Sequence, residues 1–487
     1  MTKVMFLGID VGTTSIKAGL FDAAGHQLES YGAPYETTRG ENGLVEQDPG
    51  VWVEHIWRAI SAFDRNHDLS ELCSIGITSQ VNTHVFVDGD ANPLAPAIVW
   101  QDGRCRAEAA ELDSQISLQD KMNWWGAPMP VDASHCLSRM KWMADHRPDV
   151  WEKTRHVLLP KDYCTLKLTG EVTSDAISNI GLVDLDLNYI PKLLNLVPGA
   201  ADRLAPLAGM TDVAGVVKPG QPCAGVPVAI CTMDAWASMF GVGVQQPGQA
   251  FYLSGTSEVL GVVSNNVTPT PGILVFPKLG DLTLHAGPTQ SGGASVLWFC
   301  KMFNTTPTEM AALVEGLDFD EPCPLFLPHL QGERAPIWDI DARGTLLGMD
   351  ARTGKAEIAR AVFEGVGFSA RWLVETLRAS SGDPITTLNC GGGGFQSDIW
   401  NQIRADILGA SLQRCSVNNP GVLGAAGLAA VAGGVFPDLN AAFSELVDFD
   451  KIYEPDINKS ARYDERFELY KDAYHATRDI SHRLVKT

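Results

Sequence analysis

Residues 8–21 read Gly8-Ile9-Asp10-Val11-Gly12-Thr13-Thr14-Ser15-Ile16-Lys17-Ala18-Gly19-Leu20-Phe21, two apolar runs joined by a glycine and three hydroxyl residues. Together with Val4–Ile9 before it and His26–Tyr31 after the Ala23-Ala24-Gly25 turn, the pattern predicts a meander of antiparallel strands. Asp10 falls at the end of a buried strand, beside a turn whose glycine lets a ligand approach the backbone closely. Thr13, Thr14 and Ser15 add hydroxyl donors, so Gly12–Ser15 suits phosphate oxygens and Asp10 suits Mg²⁺ held through water. The turn joins two strands and lacks the GxxxxGK[ST] spacing, so it is not a Walker loop. A tight hairpin with a capping aspartate is the plainer reading of the same residues.

Working outward, AFYLSGTSEVLGVV at 250–263 repeats the arrangement, with Gly255 and Thr256 in the turn, and two such hairpins point to a duplicated domain. Gly241-Val242-Gly243 and Gln245 to Gly248 form a loop-like stretch before the second hairpin. The expected domains are therefore 1–245 and 246–487 of the 487 residues. Between the hairpins, Trp52, Ile56, Ala59, Ile60 and Phe63 recur at helical spacing behind Asp48 as N-cap and Pro49 at the first position. Further helical patterns lie around 104–116 and 137–146, so the class is mixed α/β. Gly421–Phe436 is too short and too rich in glycine and alanine to span a membrane, and reads as a close-packed helix. From about residue 440 the chain turns polar and helical, which predicts a terminal helical layer.

The 37 Lys and Arg against 58 Asp and Glu leave a net charge of −21. Such a surface disfavours nucleic acid and anionic membranes unless basic residues are concentrated, and no such concentration is seen. Ten cysteines without CxxC pairs read as reduced thiols of a cytoplasmic protein, and the N-terminus lacks a signal-peptide pattern.

Three more places carry candidate chemistry. Gly391-Gly392-Gly393-Gly394 precedes a helix with Ser397 and Asn401, a wall without side chains suited to a flat base or a phosphate; a glycine-rich strand-to-helix turn is the alternative. Asp234 follows the apolar run 226–231 and precedes a helix, where it can take a proton from a hydroxyl attacking a phosphoryl group; an N-cap is the alternative. Gln80, Asn82, Thr83, Trp100, Asp102 and Arg104 gather around two strand ends, and the uncharged hydrogen-bonders among them, with an indole face, suit a polyhydroxylated ligand. Taken singly, they read as turn formers and a core tryptophan. The histidines show no zinc spacing, and no GxSxG elbow is present.

The whole pattern resembles the FGGY family of carbohydrate kinases. The resemblance is carried by GIDVGTTSIKAGLFD, by WQDGR at 100–104, and by LPHLQGERAPIWDIDARGTLLGMDARTGKAEIARAVFEGVGF at 327–368. GGGGFQSDIWNQIRADILG at 391–409 and GVLGAAGLAAVAGG at 421–434 complete it. It implies two actin-like, ribonuclease H-like domains flanking a cleft for MgATP and sugar, with domain closure excluding water. It also implies Asp234 as catalytic base and Asp10 as the Mg²⁺-associated carboxylate. Gly12, Thr13, Thr14, Gly255 and Thr256 would lie at the phosphates, and Gly392, Gly393, Gly394, Ser397 and Asn401 at the nucleoside. A homodimer is expected from the family alone.

The expected acceptor is a small ketose or polyol, with a ketopentose such as D-xylulose leading. Xylulose kinases usually carry Met-His-Gly after the glutamine, where this chain has Val81-Asn82-Thr83. Alternatives are a tetritol or other polyol, an aldonate such as gluconate, and an actin-like ATPase without a sugar. An aldonate wants a cation, and the nearby Arg104 is expected to brace Asp102 instead.

Overall fold

The computed structural model describes residues 4–486. The chain forms two compact units: one runs through Gly243 and takes in Asn419–Val447, the other is Val244–Asn418 with the chain from Asp448 onward.

The first unit is built on a six-stranded sheet ordered Val213–Val216, Pro227–Ala229, Leu72–Ser79, Met5–Val11, Ser15–Asp22, Gln27–Pro34. The meander is present as expected, with Gly8 opposite Gly19 and Asp10 opposite Lys17. Leu72–Ser79 joins it in parallel and sets Asp10 beside Thr78. Helix Pro49–Phe63, capped by Asp48 accepting from the Gly50 N–H at 2.8 Å, buries Trp52, Ile56, Ile60 and Phe63 in one core with Leu7, Ile9, Ile75 and Ile77. Each such side chain contributes about 1.5–3 kcal/mol by leaving water. A second core of Phe86, Leu112, Leu137, Met140 and Trp151 joins helices Arg106–Ser114 and Cys136–His146.

Residues 419–447 belong to the first unit, not to the second half as expected from the sequence. Close packing explains the return. Helix Pro420–Ala432 lies so near the sheet that a Cβ on Gly8 would stand 1.9 Å from the Val422 carbonyl oxygen, and one on Gly76 2.0 Å from that of Ala425. A Cβ on Gly424 would likewise meet the Ala237 carbonyl at 1.8 Å. Backbones come this close only where one partner carries no side chain.

The second unit repeats the plan on seven strands: Leu274–Val275, Thr283–Pro288, Glu258–Ser264, Ala250–Ser254, Thr387–Gly391, Ser411–Cys415, Phe449–Tyr453. Here too an antiparallel hairpin is followed by a parallel neighbour, Phe251 pairing with Asn389. The 27-residue helix Lys355–Ser381 shares a core of Phe363 and Phe368 with Tyr463, Phe467 and Tyr470 of helix Ile457–Leu484. The expected terminal helical layer is interrupted by Phe449–Tyr453, an edge strand whose exposed Asp450 and Lys451 suit an edge. Among the described residues no helix is long and apolar enough to cross a membrane.

Candidate active site

In the first unit, strand Met5–Val11 carries Asp10 to the sheet's end. The turn beyond closes through the Gly12 N–H donating to the Ser15 carbonyl at 3.1 Å. The carbonyl oxygens of this turn are taken from one side after another. The Gln80 N–H donates to Val11 at 3.0 Å, the Tyr35 hydroxyl to Gly12, Gln47 Nε2 to Thr13 at 2.6 Å, and the Tyr35 N–H to Thr14 at 3.3 Å.

Asp10 Oδ1 is buried without a hydrogen-bond partner. Its other oxygen faces the start of helix Pro420–Ala432, where a Cβ on Gly421 would come within 3.3 Å. The positive end of that helix favours the carboxylate, yet burial prevails and raises its pKa to about 6, against the lowering effect of Lys17. Asp234 opens helix Asp234–Gly241 at its first position, the N-cap itself being Met233. Its Oδ1 accepts from the Ala235 N–H at 2.8 Å. Burial first, and the Asp10 charge second, raise the Asp234 pKa to about 7. The charge of Asp10 is thus felt at Asp234.

The segment leading to Asp234 is clamped. Thr78 Oγ1 donates to the Thr232 carbonyl at 2.6 Å, and Thr232 Oγ1 to Asp175 Oδ2 at 2.9 Å. The fully buried Lys161 ammonium donates to the Ile230 carbonyl and pairs with Asp162 and Asp175 at 2.6 and 2.9 Å. Sequence reasoning missed this clamp, because its members are scattered from 78 to 232 and follow no motif.

The residues expected at the acceptor divide into two sets. Trp100 is 38% exposed and its Nε1 donates to Thr13 Oγ1 at 3.0 Å. Asn82 sits at φ 54 and reaches Ser134 Oγ at 3.4 Å. Asparagine is among the few side chains that tolerate this left-handed backbone. Gln80, Thr83 and Asp102 are buried. Gln80 Nε2 donates to Gln47 Oε1 at 2.9 Å, and Thr83 Oγ1 accepts from the Trp100 N–H at 3.1 Å. Asp102 is held by Arg104 at 2.6–3.0 Å and by the Val45 N–H at 2.6 Å, so it is part of a buried wall behind the loop. Arg104 braces Asp102 as expected and also pairs with Glu46 at 2.8 Å.

Beneath this wall lies Arg139, fully buried and absent from the sequence reading. It donates to the carbonyls of Asn82, Ile98 and Val99 and lies 2.9 Å from His84 Nδ1. One guanidinium therefore fixes both strand ends. Because its partners are mostly backbone oxygens, no side-chain pattern announces it.

In the second unit, Gly255 and Thr256 are exposed at the hairpin turn, which closes through the Gly255 N–H to Ser257 at 2.9 Å. Helix Gly293–Phe303 braces the turn from behind, its first N–H groups donating to the Gly255 and Thr256 carbonyls. The glycine cluster is divided in purpose. A Cβ on Gly394 would stand 2.0 Å from Ser254 Oγ and one on Gly392 2.5 Å from the Ser254 carbonyl, whereas Gly393 has nothing within 4 Å. Packing thus requires Gly392 and Gly394, and Gly393 is the member with open space before it. Ser397 caps helix Asp398–Leu408, and Asn401, expected at the nucleoside, is buried and donates to the Phe395 carbonyl at 2.8 Å.

A glycine hairpin on each unit, with two buried carboxylates of raised pKa in the first, suits phosphoryl transfer. The models of the FGGY family of carbohydrate kinases match directly, the N-terminal domain over residues 5–241 and the C-terminal domain over 250–433. The chain belongs to the FGGY family of carbohydrate kinases. It is 30% identical over 485 residues to the xylulose kinase of Escherichia coli K12, covering 96% of this chain and 98% of that protein. It is 27% identical over 502 residues to the xylulose kinase of Lactococcus lactis, covering 99% and 98%. The crystal structure of ligand-bound xylulose kinase from Lactobacillus acidophilus superposes with a TM-score of 0.86 at 25% identity, covering 97% of this chain and 98% of that one. The protein is accordingly an ATP-dependent sugar kinase acting on a small-molecule acceptor.

Proposed function

We propose that the protein transfers the γ-phosphoryl group of ATP to a hydroxyl of a small ketose or polyol, D-xylulose before others. The observation that carries this reading is the Asp10–Asp234 pair, whose burial raises Asp234 to about 7. A base with that pKa is ionised in a useful fraction at neutral pH and still holds a proton well. In the proposed step the acceptor hydroxyl gives its proton to the Asp234 carboxylate as its oxygen attacks the γ-phosphorus. The new O–P bond forms as the bond to the ADP oxygen breaks, in line. Gly12, Thr13, Thr14 and Ser15 are assigned to phosphate, with Gly255 and Thr256. Gly393 is assigned to the nucleoside, with Gly392, Gly394, Ser397 and Asn401 shaping that loop. Asn82 and the Trp100 face are assigned to the acceptor, with Gln80, Thr83 and Asp102 behind them.

The unpartnered Asp10 Oδ1 fits a hydrated Mg²⁺, which when bound supplies charge neutralisation at the transferring phosphoryl. The names of the relatives support D-xylulose, and Asn82 in place of the usual histidine argues for testing other acceptors beside it. Arg104 is engaged by Asp102 and Glu46, which weighs against an aldonate carboxylate. We further infer a cytoplasmic homodimer that binds neither nucleic acid nor membrane; sedimentation of the purified protein tests the dimer.

The deciding experiment is ADP release with MgATP against ketopentoses, tetritols, glycerol, ketohexoses and aldonates, with Asp234→Asn as blank. Turnover on one acceptor that vanishes in the blank supports the reading. Release independent of every acceptor supports an actin-like ATPase instead.

A further inference from the structure

Gln47 belongs to no motif, yet it is buried at 2% exposure and stands at the centre of a closed hydrogen-bond circuit. Its Oε1 accepts from Gln80 at 2.9 Å, which turns its amide nitrogen toward the Thr13 carbonyl at 2.6 Å and Thr37 Oγ1 at 2.7 Å. The other side of Thr13 is held by Trp100, whose indole N–H donates to Thr13 Oγ1 at 3.0 Å while its backbone N–H donates to Thr83 Oγ1 at 3.1 Å. Thr83 lies three residues beyond Gln80, so the circuit closes on the acceptor-side loop.

Two consequences follow from donor and acceptor counting. A threonine hydroxyl that accepts from an indole keeps its single proton to donate elsewhere, so the bond from Trp100 leaves the Thr13 O–H able to donate to an anion. Gln47 meanwhile pins the Thr13 peptide by its carbonyl, which fixes the direction of the following N–H. The Trp100 ring is 38% exposed and is the face against which a sugar would rest. A ligand that holds the ring also holds the N–H on Thr13.

We infer that Gln47 and the Trp100 indole N–H are positioning groups that link acceptor occupancy to the phosphate hairpin, so that acceptor and nucleotide each tighten the binding of the other. The inference rests on the proposed sugar-kinase reading and extends it to Gln47, which that reading does not use, and to the N–H of Trp100, of which it uses the ring face alone. Linkage makes the effect reciprocal, and couplings of this kind span about 5- to 150-fold in affinity.

The test is calorimetric binding of the magnesium complex of β,γ-imido-ATP, with and without D-xylulose, alongside the ADP-release assay. The unaltered protein is expected to bind the nucleotide about tenfold more tightly with D-xylulose present. Trp100→Phe, which keeps a ring face and removes the N–H, and Gln47→Leu are each expected to bring that ratio to within about twofold. Thr37→Val, which leaves both links to Thr13 in place, should keep the full ratio. A merely structural role would lower the melting temperature without moving the ratio. Trp100→Phe, at a half-exposed position, serves if Gln47→Leu does not fold. A full ratio in both variants, or no ratio in an unaltered protein that phosphorylates D-xylulose, overturns the inference and leaves the kinase reading standing. No acceptor-dependent ADP release from any sugar overturns both.

Discussion

The two glycine hairpins share a backbone plan and differ in their acids. In the first unit the acid is Asp10, just before the turn, with one oxygen unpartnered and its pKa raised to about 6. In the second it is Glu258, just after the turn, and it is fully engaged. Arg404 Nη2 pairs with it at 2.6 Å, while Tyr252 Oη and Ser254 Oγ donate to it at 2.7 and 2.8 Å. Arg404 itself lies 3.5 Å from the Trp400 ring centroid. A carboxylate kept short of partners has affinity left for a cation or a proton, whereas one saturated with donors holds the scaffold. The duplicated turn has thus been divided into a reactive copy and a holding copy.

The largest effect expected from this division is at the base. Asp234→Asn should lower kcat by about 10²–10⁴-fold while nucleotide binding by calorimetry stays near normal. Near-normal turnover would remove Asp234 from the chemistry. In the holding copy, Arg404→Met should cost about 3–5 kcal/mol in denaturant unfolding of the second unit, because Glu258 is left buried and unpaired. The soluble fraction should keep the pH dependence of the unaltered enzyme, and a displaced profile would place Glu258 in catalysis.

The pH prediction follows from sign. Asp10 and Asp234 both have folded pKa values above the ordinary aspartate value of 3.8, so protonation favours the folded state and their contribution is lost as pH rises through about 6 and 7. Asp234→Asn should therefore raise the melting temperature at pH 8, by an amount on the order of 2–4 kcal/mol in stability, and leave it nearly unchanged at pH 4. For activity, kcat/KM should fall on the acid side with a midpoint near 7. Asp10→Asn should move that midpoint lower, since the neighbouring negative charge is gone. An unmoved midpoint would break the link between the two carboxylates.

The smallest expected effect separates glycines of one loop. Gly393→Ala should leave unfolding unchanged and raise the KM for ATP a few-fold, roughly 1 kcal/mol or less. Gly394→Ala should lower stability by about 1–3 kcal/mol through its clash with Ser254. The reverse pattern would move the nucleoside away from Gly393.

Much of this comparison was legible in the residues themselves. Alternation and a Gly-Thr turn suffice for a hairpin, and a capped 3.6-residue period suffices for helix Pro49–Phe63, because both are local signals. Helix Pro420–Ala432 was legible as a close-packed helix, but not as part of the first unit. Its residues are small and apolar on every side, so no face points to a partner. Arg139 and Lys161 were hidden for a different reason. Their partners are mainly backbone carbonyls and acids brought together by the sheet, and neither leaves a spacing to read. Asp102 was chosen by residue type and Asn401 by the resemblance, and neither ground distinguishes a group facing a ligand from one bracing the loop behind it.

The return of residues 419–447 to the first unit also sets an order of events during synthesis. The surfaces of Gly8, Gly76 and Ala237 that receive helix Pro420–Ala432 are made early. Their cover emerges only about 190 residues after helix Asp234–Gly241, a delay of roughly 10–40 s at about 5–20 residues per second. For that interval a nascent chain carries a bare groove at the heart of its first unit. Premature termination anywhere between the two helices would release a protein that is sticky as well as inactive.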